Sequence, residues 1–153
     1  MITIRPSDTL GMHDAFPFMM NGIVYHSIYQ RILCSQALRM DDVAAFRVLR
    51  NSNTTEDIIQ RGQNLSKRYR MEWDNSVYDA CLEAVRAKFR GPCQHELLIK
   101  GEFVYIAPDM FWGTAGTETA ALIGLPYRGR NVYGEILTTV RNELLEARYG
   151  KQA

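Results

Sequence analysis

The sequence contains few cysteines and histidines, and their spacing excludes two kinds of site. The three cysteines form no CxxC motif and stand at Cys34, Cys81 and Cys93. An odd number of widely spaced cysteines indicates reduced thiols in a cytosol-like compartment and argues against a disulfide framework. The three histidines are scattered without metal-ligand spacing, at His13, His26 and His95. We therefore predict a cytoplasmic protein without a metal site.

The chain also has no charge excess and no long apolar run. Its 18 Lys and Arg residues and 17 Asp and Glu residues give a net charge of +1, so overall electrostatics do not indicate a general nucleic-acid binder. The first residues, MITIRPSDTLGMHDAF, argue against a signal peptide or a membrane span. We find no repeat, linker or low-complexity tract. A chain of 153 residues then predicts a single domain over residues 1–153.

Helical periodicity dominates the rest of the sequence. Apolar residues recur at threes, fours and fives from Ser27 to Arg50, with a break near Met40. A short strand within residues 21–27 leads to Ser27 as the helix N-cap. Further helices are predicted at Thr54 to about Gln63, Asn75 to about Arg90, Gln94 to Lys100, and Val132 to Tyr149, with Thr54, Asp74 and Asn131 as caps.

Strands are predicted to be few and short. Glu102 to Ala107 (EFVYIA) is a strand candidate, and residues 1–20 are predicted to form short strands and loops. SKRYR, at residues 66–70, is predicted to be a basic link between two helices. The predicted fold class is therefore a mainly α, single helical domain with a few short β-strands.

Two cations interrupt apolar helix stripes. Lys88 follows Val77, Cys81 and Val85 on one helical face, and Arg141 lies four residues after Leu137. A cation on a packed face needs a charged partner or an anionic ligand. The alternative is snorkelling, in which the stem packs and the charge reaches water.

A long loop, Pro108 to Arg130, contains a second group of candidate residues. Trp112 follows Asp109 by three residues, and Trp73, before the loop, has an acid on each side. Two such aromatic faces could sandwich a planar base. The RGR run, residues 128–130, and the helix start at Asn131 could receive phosphates. The structural alternatives are that Trp73 is a core residue, that Asp109 caps the loop and that RGR is a solvated turn. The residues alone do not decide between the binding roles and these structural roles.

Four motifs in order resemble one known family. They are WDN at Trp73, VRAKF at residues 85–89, DMFWG at residues 109–113 and RNVYGEILTTVRNEL at residues 130–144. This series is similar to the NADAR (YbiA-like) family pattern W…KF…D-x-x-W-G…N-x-x-G-x-x-L-x-x-x-R. The match covers close to half of the chain, and NGIVYHS extends it upstream more weakly.

The resemblance implies a mainly helical N-glycosidase that cleaves N-ribosyl bonds. Members of the family remove ADP-ribose from guanine bases, and others act on phosphoribosylated pyrimidine intermediates of riboflavin synthesis. No cofactor is implied for such a hydrolysis. The catalytic candidates are Asp109, Trp73 and Tyr29. The substrate-binding candidates are Trp112, Gly113, Lys88, Ser27, Arg128, Arg130, Asn131 and Arg141.

The first helix departs from the family pattern. Family members open this helix with Ser/Thr-x-Glu-His, whereas this chain has HSIYQRILCSQ, residues 26–36. Tyr29 therefore stands at the position of the glutamate thought to be catalytic, and Gln30 at the position of the histidine. Gln36 is nearest to the family's lysine, and Val104 or Tyr105 replaces a second acid.

These departures leave three hypotheses. In the first, the chain is an N-glycosidase in which Asp109 stabilises an oxocarbenium-like state alone or with Tyr29. In the second, it is a binding module that kept the pocket without turnover. In the third, it is an unrelated helical structural or interaction protein. The expected partner is an ADP-ribosylated nucleobase or a small N-ribosyl nucleotide. The basic SKRYR and RGR segments could also contact nucleic-acid phosphates.

Overall fold

The computed structural model describes residues 1–69, 75–115, 122 and 127–150. The chain divides into two compact units. The terminal unit consists of Met1–Gly11 and Phe89–Ala153, and the central unit consists of Met12–Lys88. The prediction of a single domain over residues 1–153 stays a prediction.

Helices predominate in the described part of the chain, as predicted. In chain order the elements are β1 (Ile2–Ile4), β2 (Phe18–Met20), β3 (Ile23–Tyr25), α1 (Ile28–Arg39), α2 (Val43–Arg50), α3 (Thr55–Arg68), α4 (Asn75–Phe89), α5 (Gln94–Leu97), β4 (Phe103–Tyr105) and α6 (Val132–Tyr149). None of the helices in these described residues combines the length and apolar composition needed to cross a bilayer.

In the central unit, a β-hairpin leads into α1. Strands β2 and β3 pair antiparallel, and Asn21 and Gly22 between them have φ angles of 53° and 78°, as a two-residue hairpin turn requires. The chain then reaches Ser27, whose Oγ accepts a hydrogen bond from the Gln30 amide at 3.1 Å. The predicted N-cap is therefore confirmed.

The predicted break after α1 is also confirmed. Asp41 adopts a φ of 57°, and Asp42 then caps α2, because its Oδ1 accepts a hydrogen bond from the Ala45 amide at 2.9 Å. Oδ2 of the same carboxylate accepts hydrogen bonds from Arg68 and Tyr69, each at 2.8 Å. These bonds hold the pKa of Asp42 below its usual value. Asp42 thereby joins the start of α2 to the end of α3.

Helix α3 is longer than predicted, so the prediction that residues 66–70 form a basic link between two helices is wrong for residues 66–68. Thr54 caps it as predicted, with Oγ1 accepting from the Asp57 amide at 3.2 Å. The helix continues to Arg68 rather than to Gln63, so the SKR of SKRYR is helical. The buried face continues past residue 63, since Leu65 follows Ile58 at helical spacing.

Gln30 connects α1 to the end of α2 through buried hydrogen bonds. The side chain is inaccessible to solvent, and its Nε2 donates to the carbonyls of Leu49 and Ser52, each at 2.8 Å. Its Oε1 accepts from the His26 amide at 2.6 Å. An amide supplies donors and an acceptor on one side chain, so Gln30 satisfies backbone groups on both sides of α1.

Replacing Gln30 by leucine is expected to lower the free energy of unfolding by about 3 kcal/mol, because buried backbone groups would lose their partners. Urea unfolding measures the change. Gln60 is the matched control, since it is exposed and has a 3.4 Å contact with Asn64. Gln60→Leu should change stability by less than about 0.5 kcal/mol. Equal effects of the two substitutions would contradict the role given to Gln30.

In the terminal unit, β1 pairs in parallel with β4. Ile2 lies opposite Phe103 and Ile4 opposite Tyr105, and all three residues of β4 are buried. Helix α6 also contacts β4. The rings of Tyr105 and Tyr133 lie 4.6 Å apart between centroids, and the buried hydroxyl of Tyr133 donates to the Leu10 carbonyl at 2.6 Å.

Helix α5 is shorter than predicted. It covers only Gln94–Leu97, and the chain from Leu98 to Lys100 is not helical, which corrects the predicted helix to Lys100. Leu97 is buried while Ile99 is 42% exposed. The apolar residues after Leu97 therefore do not supply a buried helical face that would extend α5.

All three cysteines are buried as free thiols. Burial raises the pKa of the Cys34 thiol to about 12, and it also raises the pKa of Cys81 far above its usual value. Cys34 and Cys81 lie in the central unit and Cys93 in the terminal unit. The expected reduced state is consistent with these placements, since no cysteine forms a disulfide.

Candidate functional site

Asp109 organises a tight turn in the terminal unit. Its Oδ1 accepts hydrogen bonds from the amides of Phe111 at 2.8 Å and Trp112 at 2.6 Å. The capping role considered for Asp109 is therefore real. Its Oδ2 accepts no hydrogen bond from the described residues, and the residue is half-buried. One oxygen fixes the carboxylate while the other keeps its acceptor capacity.

This turn lies against the beginning of α6. The backbone amides of residues 130–133 donate in order to the carbonyls of Met110, Gly113, Phe111 and Trp112, at 2.8–3.1 Å. Four such bonds fix both segments, because each backbone donor finds an acceptor across the contact. The structure thus brings together five of the predicted site residues, namely Asp109, Trp112, Gly113, Arg130 and Asn131.

Gly113 is required by the packing of this turn. A Cβ on Gly113 would lie 2.8 Å from the Tyr105 carbonyl oxygen and 2.9 Å from Ala107. Gly129 faces the Gly113 carbonyl oxygen at a distance that also excludes a side chain. Gly113 therefore allows close packing against the protein's own chain, and its predicted contact with substrate stays a prediction.

The two arginines of RGR lie at the surface. Arg128 and Arg130 are exposed, and the guanidinium of Arg130 lies 5.0 Å from the centre of the Phe111 ring. An arginine on an aromatic face keeps its donors available to anions. This geometry is compatible with the predicted phosphate contact and does not test it.

Asn131 occupies the predicted N-cap position of α6, but its side chain pairs with β4 instead of capping the helix. Its side chain makes no capping hydrogen bond to the helix, and its φ is 52°. Instead, Oδ1 accepts from the Tyr105 amide at 2.8 Å, and Nδ2 donates to the Phe103 carbonyl at 2.9 Å. The side-chain amide therefore continues the ladder of β4, and its predicted contact with substrate is a separate, untested role.

Arg141 is engaged with backbone carbonyls. Its guanidinium donates to the carbonyls of Ile99 and Gly101, each at 2.7 Å, and lies 4.8 Å from the centre of the Phe103 ring. The cation thus secures the segment before β4. A role in binding substrate stays a prediction for this residue.

Lys88 does not snorkel, which corrects the alternative considered for it. Its side chain is fully buried, and its Nζ lies 2.9 Å from Oδ2 of Asp14, whose side chain is 25% exposed. The expectation of an anionic partner is confirmed. Both residues belong to the central unit.

Tyr29 lies beside His13 in the central unit. The Tyr29 amide donates to the Met12 carbonyl at 3.0 Å, and the two rings meet edge to face with centroids 4.4 Å apart. Burial lowers the pKa of His13. Tyr29 and Lys88 therefore contact two adjacent residues of one segment, His13 and Asp14 respectively.

His13 and Asp14 contact two predicted site residues but were not themselves predicted. Both precede β2 in a segment without regular structure, where a histidine beside an acid is a weak signal. His13 contacts Tyr29, 16 residues later in the sequence, and Asp14 contacts Lys88, 74 residues later. Only the folded structure shows these contacts.

The remaining predicted positions have structural contacts or lie outside the described residues. Ser27 is buried and its hydroxyl caps α1. Val104 and Tyr105, the residues that the resemblance places at a second acid, are buried in β4. Trp73 and Asp74 lie outside the described residues, so the tryptophan sandwich and the Asp74 cap stay predictions. Within residues 1–69, 75–115, 122 and 127–150, no cluster of His, Cys, Asp or Glu could hold a metal ion.

Comparison with known proteins shows the fold. Neither the models of known protein families nor the curated proteins give a match to this sequence. Among solved structures, the chain is similar to the NMR structure of the E. coli protein YbiA, with a TM-score of 0.74 and 20% sequence identity. The similarity covers 99% of this chain and 90% of that one. The predicted mainly α, YbiA-like fold is thus confirmed.

Proposed function

We propose that this protein hydrolyses an N-ribosyl bond and removes ADP-ribose from a modified nucleobase, such as guanine in DNA or RNA. The fold and the order of the motifs support the proposal. The observation that carries it is the Asp109 carboxylate, which the amides of Phe111 and Trp112 hold through one oxygen.

The reaction needs a fixed negative charge near the anomeric carbon. As the bond to the base breaks, positive charge develops on the ribose, and a preorganised carboxylate stabilises it without reorganising. Asp109 meets this requirement because its Oδ1 is anchored and its Oδ2 accepts no hydrogen bond from the described residues. Arg130 is exposed on the segment that packs against the same turn and is placed to meet phosphate.

A second candidate function is the capture of ADP-ribose without turnover. Tyr29 favours it, because a phenol cannot supply the negative charge of the glutamate that the family resemblance places there. Losing one of two acid/base groups commonly lowers a rate by about a hundredfold or more. A binding module would raise its melting temperature with ADP-ribose and release nothing.

The test is incubation with guanine-ADP-ribosylated DNA, with free ADP-ribose followed by mass spectrometry. We expect release by the wild-type protein and none above background by Asp109→Asn. A melting temperature raised by ADP-ribose without release would favour the binding module. The absence of both release and a raised melting temperature would overturn the proposal. An ADP-ribosylated guanosine, assayed in parallel, separates the partners: affinity that falls steeply with salt only for the DNA would indicate phosphate contacts.

A further inference from the structure

Helices α2 and α3 of the central unit leave a groove between them. The two helices contact each other, and the groove along their contact has a volume of about 230 Å³. Both helices contribute to its lining, which consists of Ala44, Ala45, Val48 and Leu49 from α2 and Arg61, Asn64, Leu65 and Arg68 from α3. The groove therefore lies within one unit, and none of its residues belongs to the predicted catalytic or substrate-binding set.

The sequence accounts for the unfilled space. Helix α2 lines the groove with two alanines, Ala44 and Ala45, where larger side chains would fill the space between the helices. In α3, Gly62 packs closely against α1, since a Cβ there would lie 2.9 Å from the Leu33 side chain. This contact fixes α3 against α1, so α3 does not shift toward α2 and close the groove.

The wall that α2 contributes is apolar and partly exposed to solvent. Of the eight residues of α2, Leu49 is buried, whereas Val43 and Val48 are 50% and 42% exposed. A helix in a globular domain normally turns its apolar stripe toward other parts of the protein. Because Val48 lines the groove, covering it with an apolar group would remove this surface from water.

The wall that α3 contributes carries hydrogen-bond donors. Arg61, Asn64 and Arg68 follow one another at intervals of three and four residues, so they lie along one side of the helix. Arg61 donates to Asp57 through its Nε at 3.2 Å, and the described residues give its two Nη atoms no acceptor. Arg68 is held by Asp42 at 2.8 Å, yet its side chain is 64% exposed. The described lining contains no acidic side chain, so an anion in the groove would meet donors without a repelling carboxylate.

We propose that this groove binds a small organic carboxylate whose apolar body is about one ring in size. The apolar body lies against Val48, Leu49 and Leu65, and the carboxylate accepts hydrogen bonds from Arg61 and Arg68. Guanidinium groups suit this role, because their planar donors match the two oxygens of a carboxylate.

The volume of the groove sets the size of the ligand. A cavity of about 150 Å³ holds a benzene ring, so one of about 230 Å³ has space for a ring and a carboxylate. Pockets for larger ligands usually measure about 300–1,000 Å³, so the groove does not suit a molecule the size of ADP-ribose. The proposal is therefore independent of the reaction proposed above.

The test is a titration followed by amide chemical shifts in two-dimensional NMR spectra. Phenylacetate has the ring and the charge, phenylacetamide has the ring without the charge, and acetate has the charge without the ring. We expect phenylacetate to cause saturable shifts in α2 and α3, with a Kd of about 1 mM. Phenylacetamide should bind about fivefold more weakly, because a neutral acceptor replaces a charged one. Acetate should cause no saturable shift.

Substitutions in the lining test which residues bind the probe. Ala44→Phe should abolish saturable binding, because Ala44 is exposed and a ring there fills the groove without entering the core. Arg61→Gln should weaken phenylacetate binding about fivefold and change phenylacetamide binding by less than about twofold. Arg47→Gln is the matched control, since Arg47 is an exposed cation of α2 outside the lining, and it should bind both probes as the wild type does.

Each part of the proposal can fail by itself. The absence of saturable shifts in α2 and α3 with phenylacetate would overturn the site. Equal affinity for phenylacetate and phenylacetamide, or equal weakening by Arg61→Gln and Arg47→Gln, would overturn the recognition of the carboxylate. Saturable shifts with a peptide rich in Glu and Phe, and none with phenylacetate, would assign the groove to a protein partner instead. ADP-ribose release is not measured in this titration, so its outcome and that of the proposed function are separate.

Discussion

Replacing Asp109 by asparagine is expected to lower the rate of ADP-ribose release by about a hundredfold or more. Asparagine has the same shape, and its Oδ1 can still accept from the amides of Phe111 and Trp112, so the turn should persist. The negative charge that would stabilise the oxocarbenium-like state is lost. The free energy of unfolding should fall by only about 1 kcal/mol, since a hydrogen bond to a charged acceptor becomes one to a neutral acceptor.

The measurement is single-turnover release followed by mass spectrometry, with urea unfolding in parallel. Asp8→Asn provides the matched control, because Asp8 is an exposed acid of the same unit that accepts the Arg5 amide at 2.8 Å. We expect it to leave the rate unchanged. A rate for Asp109→Asn within about threefold of wild type would show that Asp109 has no role in the reaction.

Replacing Gly134 by alanine should have the largest effect on folding. A Cβ at this position would overlap the Phe103 carbonyl oxygen and lie 2.5 and 2.6 Å from the amide atoms of Asn131. Those atoms hold β4, so α6 cannot shift without breaking the bonds from Asn131 to Phe103 and Tyr105. Overpacking and broken buried hydrogen bonds together should cost about 3 kcal/mol or more.

Urea unfolding measures this loss, and Gly150→Ala is the control at the other end of α6. Gly150 has a φ of 78° and nothing within 4 Å of an added Cβ, so alanine there meets only backbone strain. We expect a cost near 1 kcal/mol for it. If Gly134→Ala proved no more destabilising than Gly150→Ala, the contact of α6 with β4 would be looser than described.

The helix starts could be predicted because their determinants are local. Ser27 and Thr54 each accept a hydrogen bond from an amide three residues later, so a few residues of sequence contain the whole interaction. The reach of Gln30 to Leu49 and Ser52 spans 19 and 22 residues, and no local pattern encodes it. The parallel pairing of β1 with β4 was missed for the same reason.

The candidate site follows the same division. The Asp109 turn was accessible to sequence reasoning because its acceptor and donors lie within three residues. Asn131 was predicted as a cap, since asparagine before a helix normally is one. Its left-handed backbone instead directs the amide to β4, 26 and 28 residues away. His13 was missed because its contact with Tyr29 depends on the tertiary fold.

The buried thiols make the two units separately observable. A thiolate, not a thiol, reacts with alkylating reagents, and burial keeps Cys34 and Cys81 protonated and shielded in the folded chain. Alkylation therefore proceeds only through openings of the surrounding structure. The rate at which Cys34 or Cys81 is modified reports the rate of opening of the central unit, and the rate for Cys93 reports that of the terminal unit. Peptide mass mapping of a single alkylation time course would thus yield two local opening rates from the unmodified natural sequence.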